Sequence, residues 1–148
     1  MLVNREQALS LTGFFFHTPF PDNLLETYGH DVNTLELLAI MEALKLWGAL
    51  LRGKRFILQC DNENSAHALN SGRSRAPGMQ ACLREIWFLS ATKLRAEHIP
   101  YRYNTIAEHL SRWHTAPSHE AQFHSLTADL VTTPVHCPPE IFSFDIQL

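Results

Sequence analysis

Three acidic side chains, Glu36, Asp61 and Glu108, occupy positions in which a carboxylate could do chemistry. Glu36 lies in a predicted helix, and the residues three and four positions further along, Ala39 and Ile40, are apolar, which places the carboxylate on an apolar stripe. An unpaired charge there is unfavourable, and a bound cation or an added proton would relieve the cost. Asp61 directly follows a short apolar run, so we expect it at the carboxyl end of a strand, a common location of catalytic groups.

Each of these carboxylates also has a structural interpretation that needs no ligand. Asn33 and Glu36 have the spacing of a capping box, in which the acid bonds back to the first backbone amide of a helix. Thr105 and Glu108 have the same spacing. Asp61, or the asparagine after it, could cap the helix predicted to follow the strand. The spacing alone leaves both roles open for all three acids.

Histidines and cysteines form no recognisable pattern of metal ligands or nucleophiles. Four histidines recur every five residues, a spacing that does not place them on one helix face: His109, His114, His119 and His124. The segment 119–124 has one residue too many for the zinc-protease pattern H-E-x-x-H. Three widely spaced cysteines without a CxxC pair predict neither a disulfide framework nor a thiolate zinc site, and they indicate a reducing compartment.

The apolar periodicity predicts the elements that would position the acids. We expect one or two strands within residues 11–20, helices at 34–51, 63–70, 79–92 and 105–113, and strands at 55–60 and 94–99. This order is typical of an α/β fold, a mixed sheet with helices packed on its faces. Residues 114–148 are rich in His, Thr and Pro, and we interpret them as an irregular C-terminal tail or linker after a domain spanning 1–113.

Composition and charge limit the classes of function. A chain of 148 residues, 45% hydrophobic and 18% charged, is typical of one globular domain. It contains neither an apolar run of about 18 residues nor a secretory signal, so we expect an intracellular protein, cytoplasmic or nuclear, that does not enter a membrane. The net charge is −3, but residues 52–112 hold ten basic and five acidic residues. This local excess suits either a polyanion-binding face or an ordinary solvated surface.

Four ordered motifs resemble one protein family. They are residues 33–40 (NTLELLAI), 58–65 (LQCDNENS), 70–75 (NSGRSR) and 98–112 (HIPYRYNTIAEHLSR). Together they are similar to the ribonuclease H domain that follows reverse transcriptase in retroelement polyproteins, especially the tyrosine-recombinase and related long-terminal-repeat types. The resemblance covers roughly residues 9–113.

The resemblance implies a ribonuclease H-like fold with a five-stranded mixed sheet and four carboxylates that hold two Mg²⁺ ions. In that family the ions cut the RNA strand of an RNA–DNA hybrid, and clustered oxygen ligands suit such hard cations. Glu36, Asp61 and Glu108 would be three of the four carboxylates and the metal ligands. The resemblance also implies a set of substrate contacts, in which the arginines would meet phosphates: Asn62, Asn64, Ser65, Arg73, Arg75 and Arg102.

The chain departs from the family pattern at its first carboxylate. The family motif Asp-Ala-(small)-Leu-Thr-Gly corresponds here to residues 8–13 (ALSLTG), so Ala8 stands where the first aspartate is expected. Glu6 points to the same strand face, but its Cα would lie about 6–7 Å away along the strand. In addition, Glu108 replaces the usual aspartate and is longer by one methylene. These departures predict impaired catalysis.

The sequence therefore predicts a retroelement-derived ribonuclease H-like domain that binds an RNA–DNA hybrid or other nucleic acid and retains Mg²⁺ weakly or not at all. Its other expected partner is a neighbouring reverse transcriptase domain, if the chain is part of a polyprotein. The alternative is a non-catalytic interaction or connection module of such a polyprotein.

Overall fold

Short strands and α-helices alternate along the chain in a mixed α/β fold. The computed structural model describes residues 2–4, 12–51, 53–90, 93–138 and 140, with backbone alone for 2–4 and 12. The strands are β1 (Leu2–Asn4), β2 (Thr12–Phe15), β3 (Phe56–Cys60), β4 (Leu94–His98) and β5 (Val131–Pro134). The helices are α1 (Asp22–Tyr28), α2 (Val32–Leu51), α3 (Glu63–Ser71), α4 (Pro77–Ser90), α5 (Thr105–Ser111) and α6 (Pro117–Leu126). A single 3₁₀ turn, Tyr101–Tyr103, precedes α5.

The described residues divide into two compact units. Unit 1 takes its residues from 1–19 and 101–138, and unit 2 from 20–100 and 139–148. Unit 2 therefore contains α1 to α4 with β3 and β4, whereas unit 1 contains β1, β2 and β5 with α5 and α6. This division differs from the predicted boundary at residue 113.

In unit 2, β3 and β4 pair in parallel, and α3 and α4 form the connection between them. A parallel pair requires such a crossover, which explains why both helices lie between the strands in the sequence. α3 packs against β4, and the side-chain amide of Asn70 donates to the Ala96 carbonyl at 2.9 Å and accepts from the Ala96 amide at 2.8 Å. Asn70 thus supplies hydrogen-bond partners for backbone groups at the edge of β4.

The long helix α2 forms the centre of the unit 2 core. It packs against α4 and also contacts α1 and α3. Leu37, Leu38, Met41 and Leu44 are all at most 5% exposed and cover more than one side of the helix. The helix is therefore buried on more than one face.

Glycines end two helices at the predicted positions. Gly53 follows α2 with φ of +74°, and Gly72 follows α3 with φ of +69°. This left-handed conformation is strained for residues that carry a Cβ, and it lets the Gly72 amide donate to the Ala68 carbonyl at 2.8 Å. The ring of Trp87 lies 3.2 Å from the place that a Cβ on Gly72 would occupy, so a larger residue would also crowd this ring.

In unit 1, β2 is the central strand of a three-stranded sheet, antiparallel to β1 and parallel to β5. α5 and α6 pack against each other. Phe15, Leu110 and Phe123 form the buried cluster that joins the sheet to both helices, with Ile106 and Trp113 partly buried against it. Residues from the N-terminal and C-terminal parts of the chain therefore build one core.

The structure differs from the predictions at three places. Residues 114–138 are not an irregular tail, because they supply α6 and β5, and Phe123 is fully buried. Residues 21–31, for which no element was predicted, contain α1. The described strands form a three-stranded and a two-stranded sheet, where the resemblance implies one sheet of five strands. The ribonuclease H arrangement stays a prediction, and Glu6 and Ala8 lie outside the described residues.

None of the helices in the described ranges combines the length and the apolar character that crossing a bilayer requires.

Candidate functional site

The carboxyl end of β3 carries Asp61, as predicted. Asn62, and not Asp61, caps the following helix, because its side-chain Oδ1 accepts a hydrogen bond from the Ser65 amide at 3.1 Å. The alternative that was open for Asp61 is thereby resolved. Its side chain is partly exposed at the junction between β3 and α3.

A second hydrogen bond from Asn62 joins this junction to α2. Its Nδ2 donates to Oδ1 of Asn33 at 2.8 Å. The side-chain amide of Asn62 thus caps α3 and also bonds to α2. These two hydrogen bonds tie the segment that carries Asp61 to the first turn of α2. Asn62 therefore positions other groups, while its own side-chain oxygen and nitrogen are both engaged.

Asp31 caps α2, so the capping-box interpretation of Asn33 and Glu36 is wrong. The Asp31 carboxylate accepts from the Thr34 amide at 3.1 Å and from the Thr34 hydroxyl at 2.5 Å. The hydroxyl hydrogen bond lowers the pKa of Asp31. The helix thus begins two residues earlier than predicted, and Glu36 lies past the turn that a capping box occupies.

The charges of Glu36 and Asp61 both influence the thiol of Cys60. Burial raises the pKa of Cys60 to about 11, and the negative charges of Glu36 and then Asp61 also act to raise it. A charge affects a pKa in this way only over short distances. Two of the predicted carboxylates are therefore within electrostatic reach of one buried sulfur atom at the end of β3.

Glu108 lies on α5 in unit 1, and its carboxylate forms an ion pair with Arg112 one turn later. Asn104 occupies the N-cap position of α5, which makes the capping-box interpretation of Thr105 and Glu108 wrong. Among the described residues, no group of three or more His, Cys, Asp or Glu side chains is arranged to hold a metal ion. The meeting of Glu108 with Glu36 and Asp61 stays a prediction.

Of the predicted substrate residues on α3, Asn64 is exposed and Ser65 is fully buried. The Ser65 hydroxyl oxygen has no hydrogen-bond partner in the described part of the chain. Asn64 therefore presents its side chain to solvent, whereas Ser65 is turned into the core.

The loop between α3 and α4 exposes Arg73 and Arg75. The residue between them is held in place: the Ser74 amide donates to Oε1 of Gln80 at 2.9 Å, and its hydroxyl accepts from the Ala76 amide at 3.2 Å. The loop is thus ordered although both guanidinium groups face solvent. Such a loop can present two positive charges without first losing much conformational freedom.

Arg102 lies in the 3₁₀ turn of unit 1, with its guanidinium carbon 4.9 Å from the centre of the Tyr103 ring. Tyr101 and Tyr103 are 57% and 67% exposed. Exposed aromatic rings beside a cation are typical of surfaces that contact nucleic acids. These tyrosines are not among the predicted site residues, although the alternation of aromatic and basic residues in YRY is a readable signal.

Comparison of the chain with protein-family models, with curated proteins and with solved structures gives no match.

Proposed function

We propose that the chain is a retroelement-derived ribonuclease H-like domain that binds an RNA–DNA hybrid and has impaired catalysis. The observation that carries the proposal is that the charges of Glu36 on α2 and of Asp61 at the carboxyl end of β3 both act on the buried thiol of Cys60. The hydrogen bond from Asn62 to Asn33 joins the two segments that carry these acids. Neither acid caps a helix, because Asp31 caps α2 and Asn62 caps α3.

Glu36 and Asp61 suit a divalent cation, but the chain lacks part of the set of four carboxylates that the family uses. Carboxylate oxygens are the ligands that Mg²⁺ prefers, and Glu36 and Asp61 would hold it. When bound, such an ion would stabilise the charge that develops during phosphodiester cleavage. With Ala8 in place of the first aspartate and Glu108 longer than the usual residue, we expect weak metal retention and slow or absent cleavage.

The hybrid would be bound mainly through its phosphates. Arg73 and Arg75 extend from an ordered loop that follows α3, the helix that Asn62 caps. Guanidinium groups bind phosphate oxygens with two hydrogen bonds, and such contacts fix a duplex in register without reading its sequence. We therefore expect binding with little dependence on base sequence.

Replacing Arg73 and Arg75 by alanine should weaken hybrid binding uniformly across sequences. Each phosphate contact that is lost should reduce the slope of log affinity against log salt concentration by about one. Fluorescence anisotropy of a labelled hybrid, titrated at several salt concentrations, measures both quantities. Arg84→Ala is the matched control, because Arg84 is also an exposed arginine of unit 2 but lies on α4.

An affinity that responds neither to salt nor to the two substitutions would contradict hybrid binding through this loop. In that case the alternative, a non-catalytic connection module of a polyprotein, would be the better explanation.

A further inference from the structure

Two histidines that are 97 residues apart in the sequence meet in unit 1. Nδ1 of His17 lies 3.2 Å from Nε2 of His114. His17 follows β2, whereas His114 lies in the turn between α5 and α6. The sequence pattern did not indicate this pair, because its members come from different elements and share no short spacing.

The imidazole of His17 is held in a fixed orientation. It stacks on Trp113, with ring centres 4.1 Å apart and planes 13° apart, and the ring of Phe15 lies 6.3 Å away on a nearly parallel plane. His114 is exposed, so its ring can adjust to a ligand and water can reach the space beside the pair. One ring is thus preorganised and the other is adaptable.

The separation of the two nitrogen atoms suits a shared transition-metal ion. With Zn–N bonds of about 2.0–2.1 Å and tetrahedral angles, two imidazole ligands of one Zn²⁺ lie about 3.3 Å apart. The observed 3.2 Å needs almost no change in this distance. Imidazole is a good ligand for Zn²⁺, Cu²⁺ and Ni²⁺ and a poor one for Mg²⁺.

We propose that His17, through Nδ1, and His114, through Nε2, chelate a transition-metal cation such as Zn²⁺, with water completing its coordination. Both ligands belong to unit 1, and this proposal does not depend on the proposed function.

The charges around the pair are consistent with a cation site. Burial and the neighbouring His114 lower the pKa of His17, which favours the neutral imidazole that binds metals. Glu120 acts in the opposite direction and therefore lies near enough to contribute negative charge. Glu120 also lies within 3.8 Å of Nε2 of His124 on the same helix. A carboxylate near an imidazole pair attracts a cation and can orient its water ligands.

A second histidine pair provides an internal comparison. Nδ1 of His109 lies 2.9 Å from Nδ1 of His119, between α5 and α6, and both residues are half-buried. Both pairs, at 3.2 Å and 2.9 Å, allow one imidazole to donate a hydrogen bond to the other, but 2.9 Å is shorter than the tetrahedral span. We interpret this pair as a hydrogen bond that joins the two helices.

Calorimetric titration of the full chain with Zn²⁺, in excess Mg²⁺ so that hard oxygen sites are occupied, tests the proposal. We expect saturable binding that weakens by at least about tenfold in His114→Ala and in His17→Ala. His109→Ala and the exposed His98→Ala in unit 2 should bind as the natural chain does. Circular dichroism of each variant checks that it is folded.

Nitrogen-15 NMR of the imidazoles supplies a readout that a loss of folding would not imitate. Zn²⁺ should shift Nδ1 of His17 and Nε2 of His114 and leave the histidines of unit 2 unchanged. The absence of saturable binding, binding that is undiminished in His114→Ala, or equal weakening in His98→Ala would each overturn the proposal.

Discussion

Replacing Phe123 by alanine is expected to lower the free energy of unfolding by about 3–5 kcal/mol. Phe123 is fully buried, and its ring lies 4.6 Å from that of Phe15 and 5.5 Å from that of Trp113. The substitution removes these contacts and leaves a cavity between β2, α5 and α6. Urea unfolding followed by tryptophan fluorescence measures the effect, and Trp113 reports directly on the cluster.

The matched control is Phe88→Ala. Phe88 lies on α4 and is 82% exposed, so its removal should change the free energy of unfolding by no more than about 0.5 kcal/mol. A loss below about 1 kcal/mol for Phe123→Ala would mean that residues 114–138 behave as the tail that the sequence predicted.

Replacing Glu42 by glutamine is expected to stabilise the protein above neutral pH. Glu42 lies on α2 with 2% exposure, and its Oε1 has no hydrogen-bond partner in the described part of the chain. Burial raises the pKa of Glu42 from 4.5 to about 8, although Lys45 acts in the opposite direction. The folded state therefore holds a proton that the unfolded state releases above pH 4.5.

The sign of the pH dependence follows from this difference. The contribution of protonated Glu42 to the free energy of unfolding is fully present below pH 4.5. It is lost progressively as the pH rises to about 8. At pH 7 the free energy of unfolding should be lower by roughly 3 kcal/mol, because a proton held only in the folded state lowers it by about 1.4 kcal/mol for each pH unit. Glu42→Gln cannot ionise, so this part of the pH dependence should disappear.

Urea unfolding at several pH values between about 4 and 9 measures the effect. Glu26→Gln is the control, because Glu26 is an exposed acid on α1 and should leave the pH dependence unchanged. If Glu42→Gln kept the full decline between pH 4.5 and about 8, ionisation of Glu42 would not be its cause.

The elements that the sequence predicted best are those with strong local signals. β3 is bounded by Gly53 and Asp61 and has the length of a strand, and α3 ends at the glycine that the pattern indicated. The sequence predicts a start of α2 that is two residues too late, because Asn33 has the spacing of a cap. Asp31 caps the helix since its carboxylate reaches both the amide and the hydroxyl of Thr34.

The missed elements depend on distant contacts. β5 is a strand because it pairs with β2, and the register joins Thr12 to Val131, more than a hundred residues later. α6 carries one fully buried side chain, Phe123, which packs against Phe15 and Leu110. The sequence around Phe123 has no apolar periodicity that would predict its burial. Local propensity and periodicity contain no information about such partners.

The candidate site shows the same contrast. The positions of Asp61 at the end of β3 and of Glu36 on α2 could be predicted from the apolar pattern around them. The bond between Asn33 and Asn62 and the pairing of His17 with His114 could not, because these pairs are separated by 29 and 97 residues. The burial of Ser65 could not be predicted either, because the resemblance rests on sequence motifs, which do not indicate whether a side chain is exposed.

A hybrid-cleavage assay tests the central claim most directly, because it probes the carboxylate that Ala8 replaces. The natural chain should cut the RNA strand of a labelled RNA–DNA hybrid no faster than Asp61→Asn. Ala8→Asp should create Mg²⁺-dependent cleavage, which should be lost again when Asp61→Asn is added. Background cleavage by Ala8→Asp, with hybrid binding intact, would contradict a ribonuclease H site that lacks one carboxylate.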